Sequence, residues 1–341
     1  MRGAFRSSVA VVTICAMALV GGCGLGNRYR VVAEWSLQEE YYFHAPIALW
    51  AQGNDLYALA TGQYVIQLTR DGNVKKQWGW QYLKTPTDLA FDTRGDIYVS
   101  ESWHAQVFKF SRDGKLLGRL GGPGEGPGMF RNPVSLAPTP DGGMLVYDIR
   151  NEGLTRFDAG GRVADYRKLS AWEIATDRKG SLYALSLPGD KVRKMALDGR
   201  VLATWAGKGS KPGKLNRPQD ISTDKDGNVY VADTGNQRVQ IFNSDGKLIA
   251  WFGPEVLPGR PFRPGAVTAD DAGYIYVVNA ADSHILKIAR PGYCSPMALP
   301  RWKMRIPRPP ARSSGYRIPT AVHFQLCVSL RMVAALARQG M

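Results

Sequence analysis

Short runs of alternating apolar and polar residues recur along the chain, broken by Gly, Asp and Asn. The alternation is that of half-buried β-strands, and the breaks are turn residues. The fullest unit starts at Pro218-Gln-Asp-Ile-Ser-Thr-Asp and turns at Gly227. It continues through Val229-Tyr-Val-Ala-Asp233 and Arg238-Val-Gln-Ile-Phe242, turns at Gly246, and ends on Leu248-Ile-Ala-Trp-Phe252. Relatives of this unit start at Pro86, Pro133, Glu173 and Ala266, with a degenerate copy at Ala48. Their turn glycines Gly95, Gly142, Gly180, Gly227 and Gly273 are separated by 47, 38, 47 and 46 residues. Four strands in a period of roughly 40 to 50 residues predict propeller blades, here lettered a to d from the axis outward. Six copies predict an all-β, six-bladed β-propeller of four-stranded blades.

The sixth copy runs out near Ile288-Ala-Arg290 without a fourth strand. A segment near the other end, Val31-Val-Ala-Glu-Trp35, repeats the pattern of Val201-Leu-Ala-Thr-Trp205, the fourth strand of blade four. The N-terminal segment is therefore expected to supply strand d of blade six. The propeller is placed at 31–290.

Two motifs carry a family resemblance. The loop and strand Asp233-Thr-Gly-Asn-Gln-Arg238-Val-Gln-Ile-Phe242, and the linker Gly121-Gly-Pro-Gly-Glu-Gly-Pro-Gly128-Met-Phe130-Arg-Asn-Pro133, resemble those of the NHL-repeat family. That resemblance implies a six-bladed ring used mostly as a binding platform, and in some branches as an enzyme.

The ends of the chain read differently. Arg2 and Arg6 precede an apolar run, and Val20-Gly21-Gly22-Cys23 resembles a bacterial lipobox. Residues 1–22 are read as a lipoprotein-type signal peptide, Cys23 as the lipid attachment site and 23–30 as a tether. Residues 291–341 are basic and Pro/Arg-rich, and are expected to be disordered or translated from a shifted frame. The net charge of +15 suggests a polyanionic partner. The two ends, however, carry ten Lys/Arg and no acid, which leaves 34 basic and 29 acidic residues between them. A nucleic-acid partner is not expected of so balanced a body. All four cysteines lie at the ends, at 15, 23, 294 and 327, so the ring needs no disulfide. The expected location is the bacterial cell envelope, anchored through Cys23 and facing the periplasm or the exterior, with the protein a monomer.

Candidate chemistry sits where the strands converge. Counting seven residues back from each turn glycine gives Asp88, Ser135, Glu173, Asp220 and Ala266 at the start of the innermost strands, with Ile47 or Ala48 in blade one. Asp88, Glu173 and Asp220 could hold a cation such as calcium or a cationic substrate, or could accept backbone N–H bonds at blade junctions. The b-to-c loops offer Trp103, His104 and Arg150 as further channel-mouth candidates. Asp233, Asn236 and Arg238 read as structural ties of their loop. The amidating-lyase branch that the resemblance brings in uses several histidines around a metal. Only His44, His104, His284 and His323 occur here, and none falls on an innermost strand. No cofactor is expected. The resulting expectation is a noncatalytic envelope lipoprotein that binds a protein, peptide or glycan. The alternative is a metal-dependent lyase or lactonase-like hydrolase acting at the channel mouth. Cys23→Ser should move the processed protein from the membrane to the soluble fraction; unchanged membrane retention would remove Cys23 as the anchor.

Overall fold

The computed structural model describes residues 28–37, 45–186 and 189–292. Cys23, the leader, the tether up to residue 27, His44 and the tail from 293 onward lie outside the described residues. Six four-stranded antiparallel sheets are present, each pairing its strands a-b-c-d in order. The sixth combines Pro264–Ala269, Ile275–Asn279 and His284–Ala289 with the N-terminal strand Arg30–Ser36. Val31 pairs with Ile288 and Trp35 with Ile285, so the N-terminal strand is the fourth strand of blade six. The innermost strands contact one another around the ring, including those of blades six and one.

The burial pattern explains why blades cannot stand alone. Each strand b from blade two onward is buried along its whole length, for example Ile97–Glu101 and Val229–Asp233. Strands d alternate exposed and half-buried positions, as in Leu248–Phe252. The apolar core is divided into six clusters, one at each blade junction. Each sheet thus buries two faces, and only a closed ring covers all of them.

A repeated contact stitches the outside of the junctions. A side chain from strand d lies over the c-to-d turn of the next blade: Trp35 over Gly72, Trp78 over Gly114, Leu120 over Gly161 and Trp205 over Gly246. A Cβ at Gly72 would overlap the Trp35 ring, and the backbone there has φ +84°. Glycine is required on both counts. Trp35 also donates its indole N–H to the Asp71 carbonyl at 3.0 Å and stacks on Tyr276 at 6.2 Å. A second repeat fixes the a-to-b turns. Asp92, Asp177, Asp224 and Asp270 each accept the hydroxyl of a strand-b tyrosine, Tyr98, Tyr183, Tyr230 or Tyr276, at 2.8–3.3 Å.

The latch has its own ion network. Arg260, in the linker from blade five to six, donates to both Glu34 oxygens at 2.7 and 2.9 Å and also pairs with Asp282. His284 lies beside both acids. Trp35→Ala removes the indole from a closed junction and should cost about 3–5 kcal/mol. The melting midpoint should fall by roughly 10 °C. A midpoint within a degree or two of wild type would show that the N-terminal strand does not hold the ring.

Candidate functional site

The central channel is the place where six strands bring side chains together. Strands a of blades one, two, three and six begin with proline and a bulge: Pro46, Pro86, Pro133 and Pro264 are followed two residues later by the next register pair. The register makes Ala48, not Ile47, the blade-one counterpart of Asp88, Ser135 and Ala266. The six equivalent positions are therefore Ala48, Asp88, Ser135, Glu173, Asp220 and Ala266. Carboxylates and the hydroxyl occupy blades two to five, and alanines occupy blades six and one.

These polar groups pin one blade to the next. Asp88 accepts the N–H of Leu89 at 2.7 Å and that of Leu136, in blade three, at 2.7 Å. Asp220 accepts the N–H of Ile221 at 2.8 Å and that of Val267, in blade six, at 2.6 Å. Ser135 accepts the N–H of Ile174, in blade four, at 3.0 Å. One position thus serves, through a carboxylate or a hydroxyl, a bond that an edge-on blade could not otherwise make.

Asp88, Glu173 and Asp220 all line a channel cavity of about 230 Å³. Burial is the main cause that raises their proton affinity. Asp88 is pushed up to about 8, by burial and by the charge of Asp220, against the two N–H donors. Asp220 is pushed up to about 6 by burial, against its own two N–H donors. Glu173 is raised well above the ordinary carboxylate range by burial and by the charges of Asp88 and Asp220. The cluster therefore shares protons rather than carrying three charges at neutral pH. Chemically it can donate as well as accept hydrogen bonds. A cation entering it would have to displace those protons.

The cavity extends toward the a-to-b turns, where Arg178, Lys225 and Asp271 line it. Arg178 of blade four reaches past blade five to Asp271 of blade six, at 2.8 Å. Trp103, His104 and Arg150 are not part of this lining. They lie in b-to-c connections, one to two strand spacings out from strand a, or roughly 5–10 Å. The structure thus gathers the three acids and leaves the three loop residues on the rim.

His104 has a structural partner. Its Nδ1 stands 2.7 Å from Glu101, which is fully buried at the end of strand b. Glu101 also accepts the N–H of Thr85 at 2.6 Å and of Trp103 at 3.2 Å. Asp148 takes the N–H groups of Arg131 and Asn132 in the same way, and Asp233 that of Asn216. Asp233 further holds Asn236 and the buried Arg238, both at 2.8 Å, as expected of a loop tie. In blades two, three and five the last residue of strand b is thus a clasp for the linker entering its blade.

The same face carries an exposed apolar arc of which sequence reasoning singled out only Trp103. Trp80, Met129 and Trp172 stand in the d-to-a linkers before blades two, three and four, on the same face as Trp103. Trp103 is 75% exposed and Trp80 57%, the two most exposed large apolar residues described. Glu34, Asp282 and His284 lie close enough to share a metal ion. Arg260 already neutralises both of these acids, so that group reads as the latch.

Comparison with known proteins agrees with this architecture. The NHL repeat model matches residues 215–242. Human NHL repeat-containing protein 3 is 32% identical over 234 residues, 64% of this chain and 57% of that protein. The Caenorhabditis elegans protein lin-41 is 44% identical over 62 residues, 18% of this chain and 5% of its own length. The chain thus spans little more than half of the human relative. Among solved structures, virginiamycin B lyase from Staphylococcus aureus superposes with a TM-score of 0.55 at 11% identity, covering 77% of this chain and 99% of that one. A protein of unknown function from Bacteroides caccae gives 0.50 at 16%, covering 67% and 83%. These likenesses show the fold. The chain is a six-bladed β-propeller that matches the NHL repeat at 215–242 and is similar in sequence to NHL repeat-containing proteins.

Raised carboxylates fix the sign of the pH dependence. The unfolded chain loses these protons near pH 4. The folded ring keeps them up to about 6 at Asp220 and about 8 at Asp88. The folded state binds more protons in that window, so stability falls as pH rises through it. The melting midpoint should drop between pH 5 and 9, and Glu173→Gln, which removes one charge at constant shape, should make the drop shallower. An identical pH slope in the variant would show that Glu173 takes no part in the titration of the cluster.

Proposed function

We propose that this protein is a noncatalytic lipoprotein of the bacterial envelope whose linker face docks a protein, peptide or glycan partner. NHL propellers commonly serve as protein-binding platforms. The observation that carries the proposal is the arc of Trp80, Trp103, Met129 and Trp172, exposed on one face, with the linkers of Trp80 and Met129 held from beneath by Glu101 and Asp148. Large apolar side chains are costly to leave in water, and indoles on a rigid backbone are the commonest anchors of protein interfaces. Their flat rings equally suit a sugar face or a proline. Envelope location and the anchor rest on the Arg2–Cys23 leader pattern.

The channel supports this reading from the other side. Asp88 and Asp220 already serve two N–H donors each, which explains acids at those positions without a ligand. The alternative, a metal-dependent lyase or hydrolase, would place the ligand there instead.

A photo-crosslinking residue at position 103 should trap a partner in intact cells. The variant Trp80→Ala/Trp103→Ala/Trp172→Ala should lose at least tenfold in that partner's affinity with its melting midpoint unchanged. Stoichiometric calcium on the purified protein, lost in Asp88→Ala/Glu173→Ala/Asp220→Ala, would contradict the proposal and favour the channel.

A further inference from the structure

The outer wall of the ring is uneven. Strand d carries Lys75 and Lys76 in blade one, Arg119 in blade two, and Asp165, Arg167 and Lys168 in blade three. In blades four and five the same strands, Val201–Ala206 and Leu248–Phe252, contain no charged residue. They expose Val201, Leu202, Ile249 and Trp251, and Val32 continues the stripe into blade six. Strand d is a sheet edge, and such edges are ordinarily blunted by charge. Here the charge is missing from two adjacent blades; the exposed Val74, Leu117 and Val163 of blades one to three have charged neighbours on their own strands, and the blade-six strand carries Arg30 and Glu34.

An open groove lies between strand d of blade five and the start of the N-terminal strand. Arg28, Tyr29, Ile249, Trp251 and Pro291 line it, with one acid, Glu255. Arg28 and, two residues further on, Arg30 are exposed. A tryptophan with aliphatic neighbours and flanking arginines is the composition of a membrane–water interface. Covalent geometry then sets the distance. Cys23 is five residues before Arg28, and five residues span at most about 18 Å.

We infer that the wall formed by the outer strands of blades four and five, with the start of the N-terminal strand beside it and centred on Trp251 and Ile249, rests on the lipid surface that holds the anchor. The inference builds on the lipoprotein reading of Cys23. The tether emerges beside this wall and is too short to carry it far from the bilayer. The N-terminal strand starts at the turn side of blade six, and blades one to three stand across the ring. Trp80, Trp103 and Trp172 are thereby held toward the aqueous phase, where a partner can reach them.

The test uses the full processed chain in phosphatidylethanolamine–phosphatidylglycerol vesicles with brominated acyl chains. Flotation reports the anchor, and quenching of tryptophan emission reports the wall. The expected result is flotation with a quenched component that disappears in Trp251→Phe and persists in Trp103→Phe. Flotation with the same quenching in Trp251→Phe, or a loss of quenching in Trp103→Phe, overturns the wall while leaving the anchor standing. A chain that does not float overturns the anchor and the wall together. Unquenched Trp251 in a floating protein that crosslinks to a second copy through position 249 assigns the wall to self-association and also overturns the inference.

Discussion

Closure of the ring is the constraint on which everything else depends. A four-stranded sheet with two apolar faces needs a neighbour on each side, and six such sheets find them only in a cycle. The cycle has one junction that the chain cannot make by simple succession, between the last blade and the first. The N-terminal strand makes it. Trp35 reaches over Gly72 there as Trp78, Leu120 and Trp205 reach over their turn glycines elsewhere. Arg260, Glu34 and Asp282 then tie the same strand to the linker of blade six.

The polar groups divide into tasks set by radius. Innermost, Asp88, Ser135 and Asp220 trade a solvated carboxylate or hydroxyl for backbone N–H groups of the next blade. The unfavourable burial shows in the raised proton affinity of the channel carboxylates Asp88, Glu173 and Asp220. One strand further out, Glu101, Asp148 and Asp233 hold the linkers. The linkers into blades two and three are held from below in this way, so Trp80 and Met129 remain exposed on a rigid support. Preorganisation of this kind lowers the entropy lost on binding. In the proposed reading the channel serves the ring and the linker face serves a partner.

Much of this was legible in the sequence, for physical reasons. Turn glycines with positive φ, such as Gly227 at +81°, cannot be replaced cheaply, so they mark the period. The N-terminal strand was recognisable because Trp35 performs the task of Trp205 and sits in the same pattern. The channel acids followed from counting along regular blades. Blade one resisted, because its a-to-b turn at Gly53 is shorter than the others and the count from glycine loses register. Trp80 and Trp172 were not legible as surface residues. Locally they look like Trp78, and only the packing shows that Trp78 is 7% exposed while Trp80 is 57%. Distance from the axis was equally hidden, which is why Trp103, His104 and Arg150 were grouped with a channel they do not line.

Hydrogen exchange on a chain lacking residues 28–36 tests the account at its root. With the latch gone, amides of His284–Ala289 should lose protection first, followed by Pro46–Gln52 across the opened junction, while blade three at Met144–Asp148 keeps its protection. Full protection of His284–Ala289 in the truncated chain would mean that the ring closes without its N-terminal strand, and the central claim would fail.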